Sequence, residues 1–383
     1  MMTRLAMICS LALLLGAAPS QARTWIVMQD GSGDFLDIQS AVDACGVGDS
    51  VLVGPGRYQG YHTWQPGDGA PTFDVIVGVD VDSLTIRGVN REAVIIGPET
   101  ATAETTAKIG IGTALTTTWT HIENMTIENV QDRGIHLYPA GRVVDCTFTL
   151  CETGLIVERG RHVSIENCIF VGSMCDITTH GADPSYQATI RECTFSTSGP
   201  GIYIYGHPNI TIEQCVFTNV RNPIYLGNGV TAQIEGCTMN GGWYGLWAVN
   251  LSLNTVDVSN CIFASQQYNA IVLNNATLTG TGNIIQCNGD YTIDASNCAA
   301  SFHGNHILKS RLGTVFFNFY NVPHEVMDLT NNWWGTSDPD SIAAWIRDGV
   351  DDPQFPIVQY DPFALQPVGE EKKSVSDLKS MFR

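Results

Sequence analysis

Six cysteines return along the chain at nearly constant steps. Cys146, Cys168, Cys193, Cys215, Cys237 and Cys261 are separated by 22, 25, 22, 22 and 24 residues. Each stands two residues before a large apolar side chain: Phe148, Phe170, Phe195, Phe217, Met239 and Phe263. A second series runs in step with them, through Ile135-His136-Leu137, Leu155-Ile156-Val157, Ile177-Thr178-Thr179, Ile202-Tyr203-Ile204, Ile224-Tyr225-Leu226, Leu246-Trp247-Ala248 and Ile271-Val272-Leu273. Degenerate copies extend the pattern to Leu84-Thr85-Ile86 and Asn124-Met125-Thr126 upstream, and to Asn283-Ile284-Ile285 and Asn305-His306-Ile307 downstream. Apolar and polar residues alternate within each copy, and Gly, Asn, Pro and Ser separate the runs, which is strand-and-turn chemistry. The leucine consensus of leucine-rich repeats is absent. A unit this short buries its inward face only by stacking on the next unit, so the repeat predicts coils of parallel, in-register strands. Eleven such coils at about 4.8 Å each give a rod core of roughly 50 Å.

These features resemble the right-handed parallel β-helix (pectin-lyase-like) proteins over residues 75–335. The opening, Asp30-Gly31-Ser32-Gly33-Asp34-Phe35, Ile38-Gln39-Ser40-Ala41-Val42 and Gly54-Pro55-Gly56-Arg57-Tyr58, is similar to their N-terminal entry. Pectin methylesterases begin in the same way, but their catalytic Gly-x-x-Asp-Phe-Ile-Phe-Gly motif does not occur. The close, Asn331-Asn332-Trp333-Trp334-Gly335-Thr336 with Ile357 to Phe363, resembles bacterial secreted β-helix repeat proteins. The resemblance implies an all-β fold, and the opening motif supports that fold and not esterase activity. Tyr205-Gly206-His207-Pro208 and Val322-Pro323-His324-Glu325 match polygalacturonase and epimerase motifs over three residues or fewer.

Both open ends of such a stack need a cover. Ile38, Ala41, Val42 and Cys45 share one face of a short helix over 38–44. A second helix is predicted over 339–348, with Asp338 as N-cap, Pro339 in the first turn and Gly349 ending it. The chain therefore divides into an export signal (1–22), one capped solenoid domain (23–367) and a charged tail (368–383). Within the domain the N-terminal cap spans 23–75, the coils 76–335 and the C-terminal cap 336–367. Arg4, the apolar stretch Leu5–Ala18 and the small residues at Ser20 and Ala22 carry the signal reading. It places the mature protein in the cell envelope or outside the cell. No other apolar stretch approaches spanning length.

Charge and cysteine usage narrow the partners. A formal net charge of -19 argues against a nucleic-acid ligand. The Cys and Phe positions share a face, so the cysteine ladder reads as inward packing. Metal-ligand spacing is absent, and no cofactor is implied. Acidity leaves calcium open, without a motif for it. The off-ladder pairs Cys287/Cys298 and Cys151/Cys175 are disulfide candidates.

Function is read from the columns. In the second series the neighbours of the inward residues face outward and line up along the rod. One column holds His136, Ile156, Thr178, Tyr203, Tyr225, Trp247 and Val272. The next holds Tyr138, Glu158, His180 and Tyr205. Exposed aromatic stripes mark partner or ligand surfaces, and ring faces stack on sugars. Substrate contacts are therefore expected from His136, Tyr203, Tyr205, Tyr225 and Trp247, with Arg159, Arg161 and Arg221 in the flanking turns. Loops folding over the stripe are the alternative. Glu158, His180 and Tyr138 are the catalytic candidates, suited to β-elimination from a uronate polymer: an Arg neutralises the carboxylate, His180 or Tyr205 takes the proton and Tyr138 returns one to the leaving oxygen. Hydrolysis needs a second carboxylate about 5–9.5 Å away, for which Asp176 and Asp183 are the candidates. The reading is an exported protein that binds or processes polysaccharide, in the manner of a uronate lyase. A non-catalytic, adhesive or structural envelope protein is the alternative.

Overall fold

The computed structural model describes residues 21–100 and 108–368, apart from 139, 160, 182, 184, 207, 208, 319–325 and 354, with backbone alone at 250, 251, 317 and 318. The first twenty residues of the predicted signal, the tail beyond 368, His207-Pro208 and the whole downstream motif at 322–325 lie outside this range.

The chain forms an all-β parallel solenoid of about 13 turns at a spacing near 22 residues. Each central coil contributes three strands. Lys108–Thr113, Arg133–Leu137, Thr153–Glu158, Cys175–His180, Pro200–Tyr205 and Asn222–Gly227 build one face. Thr120–Glu123, Ala140–Val144, His162–Glu166, Gln187–Arg191 and Asn209–Glu213 build the second. The third is an eleven-stranded parallel sheet that includes Thr126–Glu128, Thr147–Thr149, Ile169–Val171 and Thr194–Ser196. Turns beyond the eleven expected arise at the ends. Thr24–Val27 and Ser50–Val53 pair onto the entry side, and Met327–Asp328 and Val358–Gln359 onto the exit side.

Register follows the sequence repeat. Phe148, Phe170 and Phe195 stand opposite one another, and Phe217 follows. Their rings stack at 4.6, 5.0 and 4.5 Å within 8° of parallel, and all four are fully buried. The residue before each ladder cysteine turns the chain in the left-handed region: φ is 54° at Asp145, 50° at Asn167, 55° at Glu192 and 52° at Gln214. That conformation is uncommon away from Gly and Asn. It persists because the turn N–H groups bond to the next coil, Asp145 to the Glu166 carbonyl and Asn167 to that of Arg191, both at 3.1 Å.

The cysteine ladder is an inward column, as its spacing predicts. Cys146 and Cys168 each donate to the carbonyl two residues back, at 3.3 Å. Farther along, asparagine takes the same place. Asn283 Nδ2 donates to Asn305 Oδ1 at 2.8 Å, and Asn305 Nδ2 to Asn332 Oδ1 at 3.1 Å. Amides stack where thiols stood because each Oδ1 also accepts a turn N–H, as Asn283 Oδ1 does from Cys261.

The disulfide expectations are corrected: none of the eleven described cysteines forms a disulfide. Cys287 Sγ is directed at the Tyr291 carbonyl and Cys298 Sγ at that of Ser296. Cys175 Sγ faces Thr178 Oγ1 at 3.2 Å, while Cys151 Sγ faces main-chain carbonyls. Burial raises the thiols of Cys287, Cys151 and Cys175, Cys151 to about 12 and Cys175 to about 11. From Cys45 onward, a thiol reagent at neutral pH is expected to label at most the half-buried Cys45 and Cys175 in the native protein, and all of them after denaturation. Mass spectrometry of labelled peptides decides this, and native labelling of Cys193 or Cys215 contradicts it.

The entry helix spans Ile38–Asp43, with Asp37 accepting from the Ser40 N–H and with Ile38, Ala41 and Val42 buried. The exit helix is shorter than predicted, Pro339–Trp345. It stops because Ile346 and Arg347 pair as a strand with Val315 and Phe316. The Asp338 carboxylate accepts from the Ser341 hydroxyl at 2.5 Å and makes no capping bond to the backbone.

Candidate functional site

The outward column is continuous. Gly112, His136, Ile156, Thr178, Tyr203, Tyr225, Trp247 and Val272 are partners in consecutive strands, and Asp294 and Phe316 follow. Glu158, His180, Tyr205 and Gly227 form the column beside it.

The entry end of this face is covered. Trp64 lies across Gly78 and Gly112, where an added Cβ would come within 2.6 and 2.8 Å of its ring. With Phe73, Val75, Ile109 and Ala114 it makes a small second core outside the coil. Its hairpin arrives antiparallel to Phe73–Val79, and this cover buries His136.

His136 has 0% exposure and so makes no direct contact with a ligand; on this point the expectation for it is corrected. Phe73 stands edge-on to it at 6.3 Å and Tyr138 lies over it at 4.2 Å. Arg133 Nη1 lies 2.9 Å from His136 Nδ1. Guanidinium only donates, so Nδ1 accepts and the ring proton sits on Nε2. That proton faces Glu158, whose Oε2 lies 3.6 Å from Nε2, a charge–dipole contact longer than a hydrogen bond. Burial lowers the His136 pKa, keeping the ring neutral. The His136 N–H in turn holds the Glu158 carboxyl below its usual range, with Arg133 and His180 adding to the effect. Burial, then Glu158, raises the phenol of Tyr138. Glu158 is therefore an anchored carboxylate, part-exposed at 33%, with the exposed His180 beside it in register.

Other expected residues divide. Arg159 and Arg161 are exposed. Tyr138 is mostly buried, at 7%. Arg221 stacks on Trp243, its guanidinium carbon 3.9 Å from the ring centroid. Asp176 is no partner for Glu158: it sits in the inward column beside Gly154 and is fully buried. Asp183 is exposed in a turn and accepts from Ser185.

Tyr203 and Tyr225 stack at 4.5 Å, and Trp247 meets Tyr225 edge-on at 5.6 Å. These rings are half-buried largely against one another, while Tyr205 is 42% exposed. The line continues through residues the column alignment left out. Tyr244 lies 4.9 Å from Trp247 and 5.5 Å from Tyr268, and Trp243 lies 5.8 Å from Tyr268. Trp243 and Tyr268 belong to a turn column, since the Trp243 N–H bonds to the Arg221 carbonyl and that of Tyr268 to Trp243. Their separation of one repeat step was the signal available in the sequence. Among the described residues no group of three or more His, Cys, Asp or Glu is placed to hold a metal ion. No described helix is long and apolar enough to cross a membrane.

Residues 177–318 match a family profile described as a right handed beta helix region. The chain is a right-handed parallel β-helix. No curated protein matches it. Among solved structures, the catalytic unit of a thermostable GH87 α-1,3-glucanase from Streptomyces thermodiastaticus strain HF3-3 is similar over 92% of this chain and 70% of its own, with 11% identity and a TM-score of 0.52. The catalytic domain of a GH87 α-1,3-glucanase variant in complex with tetrasaccharides is similar over 91% and 70%, with 9% identity and a TM-score of 0.50. PfbA, a surface adhesin of Streptococcus pneumoniae, is similar over 77% and 85%, with 15% identity and a TM-score of 0.46. At these identities the likeness is one of fold.

Proposed function

We propose that this β-helix is an exported protein that holds an extended polysaccharide along the face carrying Tyr203, Tyr225 and Trp247. The observation that carries the reading is the aromatic line in register with Glu158, His180 and Tyr205. The coil rise, about 4.8 Å, is close to the length of one pyranose residue, so successive sugars meet successive coils. Ring faces supply apolar contact, and Glu158 and the tyrosine hydroxyls supply hydrogen bonds. The partial exposure of these rings speaks against a purely structural rod.

Uronate elimination is the second reading. It rests on the adjacent Glu158 and His180, with Arg159 next in sequence. The burial of Tyr138 and the engagement of Arg133 with His136 and Asp132 weaken it, since the proton donor is withdrawn from the surface. Binding without turnover is the better-supported form.

The test is a panel of pectate, alginate, xylan, β-glucans and α-1,3-glucan. Wild type is expected to bind at least one. Tyr225→Ala combined with Trp247→Ala should weaken that binding about thirty-fold, equivalent to about 2 kcal/mol. Unsaturated product, read by ultraviolet absorbance and abolished in Glu158→Gln or His180→Ala, would establish the elimination reading. Unchanged affinity in the double variant would remove the ligand from this face.

A further inference from the structure

The balance of charge along this face bears on what kind of polysaccharide it takes. Four arginines border it, matched in number by four carboxylates. Arg133 is paired with Asp132 at 3.3 Å and committed to His136. Arg161 lies near Asp183, whose carboxylate the Ser185 hydrogen bonds chiefly and Arg161 in smaller part hold below the usual range. Arg221 is laid over Trp243. Arg159 is the remaining one, and it adjoins Glu158. Against these four stand Asp132, Asp183, Glu158 and Asp294. The whole chain carries -19. A polymer with a negative charge on every residue meets no surplus of positive charge here and is repelled at longer range.

Beyond Trp247 the face becomes aromatic and acidic. Trp243 and Tyr268 are 38% and 42% exposed and stand nearly perpendicular, at 81°. Tyr244 fills the space between Tyr268 and Trp247. Asp294 lies in the outward column two coils after Trp247, close enough to Tyr244 to add to the rise that burial and Tyr268 give its phenol. A carboxyl beside an aromatic corner suits a sugar with vicinal hydroxyls: the rings cover its apolar face and the oxygens accept its O–H groups. A uronate places its own carboxylate in the same position and is disfavoured.

We infer that the ligand is an uncharged polysaccharide, and that Trp243, Tyr244, Tyr268 and Asp294 form a subsite for one neutral hexose or pentose residue. The inference rests on the polysaccharide-binding reading and specifies its substrate class. Uronate elimination then has no substrate on this face.

Calorimetric titration of the full chain with cellohexaose, laminarihexaose, xylohexaose and an α-1,3-glucohexaose, against hexagalacturonate and a mannuronate hexamer, tests it. At least one neutral hexamer should bind ten-fold or more tighter than either uronate hexamer. Trp243→Ala and Asp294→Asn should each weaken that binding ten-fold or more. Trp243 is exposed and Asp294 part-buried, and circular dichroism verifies that the variants keep the fold. Preference for a uronate hexamer overturns the neutral class and leaves the polysaccharide reading standing. Binding by neither class overturns both. Unchanged affinity in both variants overturns the subsite alone.

Discussion

Phe195→Ala is expected to cost about 3–5 kcal/mol of folding stability, the range for removing a fully buried aromatic ring. Phe195 has 0% exposure and stacks on Phe170 at 5.0 Å and Phe217 at 4.5 Å. Removing it loses two ring contacts and opens a void that the neighbouring coils, fixed by main-chain ladders on three sides, cannot collapse to fill. The loss spreads because each coil is stabilised by its neighbours. Phe195→Met should cost under about 1.5 kcal/mol, since Met239 occupies the equivalent place two coils away. Urea denaturation read by tryptophan fluorescence and circular dichroism together distinguishes global from local loss. An alanine variant within 1 kcal/mol of wild type, an order-of-magnitude threshold, would show that the stack is dispensable.

The period that predicts this ladder made most of the fold readable. A Cys-x-Phe column and an Ile-x-Ile column leave one arrangement that buries both, so faces and register follow. The outward columns from His136 to Val272 and from Glu158 to Tyr205 were readable for the same reason. What lay beyond the period was not. His136 is covered by Phe73, which precedes the aligned part of its strand, and by the Trp64 strand, which pairs antiparallel and stands outside the repeat. Trp243 and Tyr268 stand in turns, where coil length varies and alternation no longer says which way a side chain points. The disulfide pairs failed because proximity in sequence says nothing of where each thiol is aimed. The change from Cys to Asn in the ladder was visible as degenerate copies, and its cause, an amide accepting the turn N–H, is geometric.

Asp176→Ala, by contrast, is expected to stabilise the protein. The aligned column reads Gly134, Gly154, Asp176, Gly201, Pro223, Gly245 and Ala270, and it is compact because the phenylalanine ladder lies against it. A Cβ added at Gly154 would meet Phe170 at 3.1 Å, and one at Gly201 would meet Phe217 at 3.1 Å. Asp176 is fully buried there, neither carboxyl oxygen has a hydrogen-bond partner of good geometry, and the nearby Ser173 hydroxyl only partly offsets the effect of burial. Burial raises its pKa well above the ordinary value. The folded state therefore holds a proton that the unfolded state releases above about pH 4. By linkage, wild-type stability declines as pH rises from there toward the raised folded value. Alanine keeps the Cβ already accommodated and removes the orphaned oxygens. The gain should be about 1–3 kcal/mol at neutral pH and smaller near pH 4, where the carboxyl is protonated in both states. Urea midpoints for both proteins across pH 4 to 8 measure it. A difference that stays constant with pH would show that Asp176 keeps its charge when folded, and that a cation or donor reaches it inside the coil.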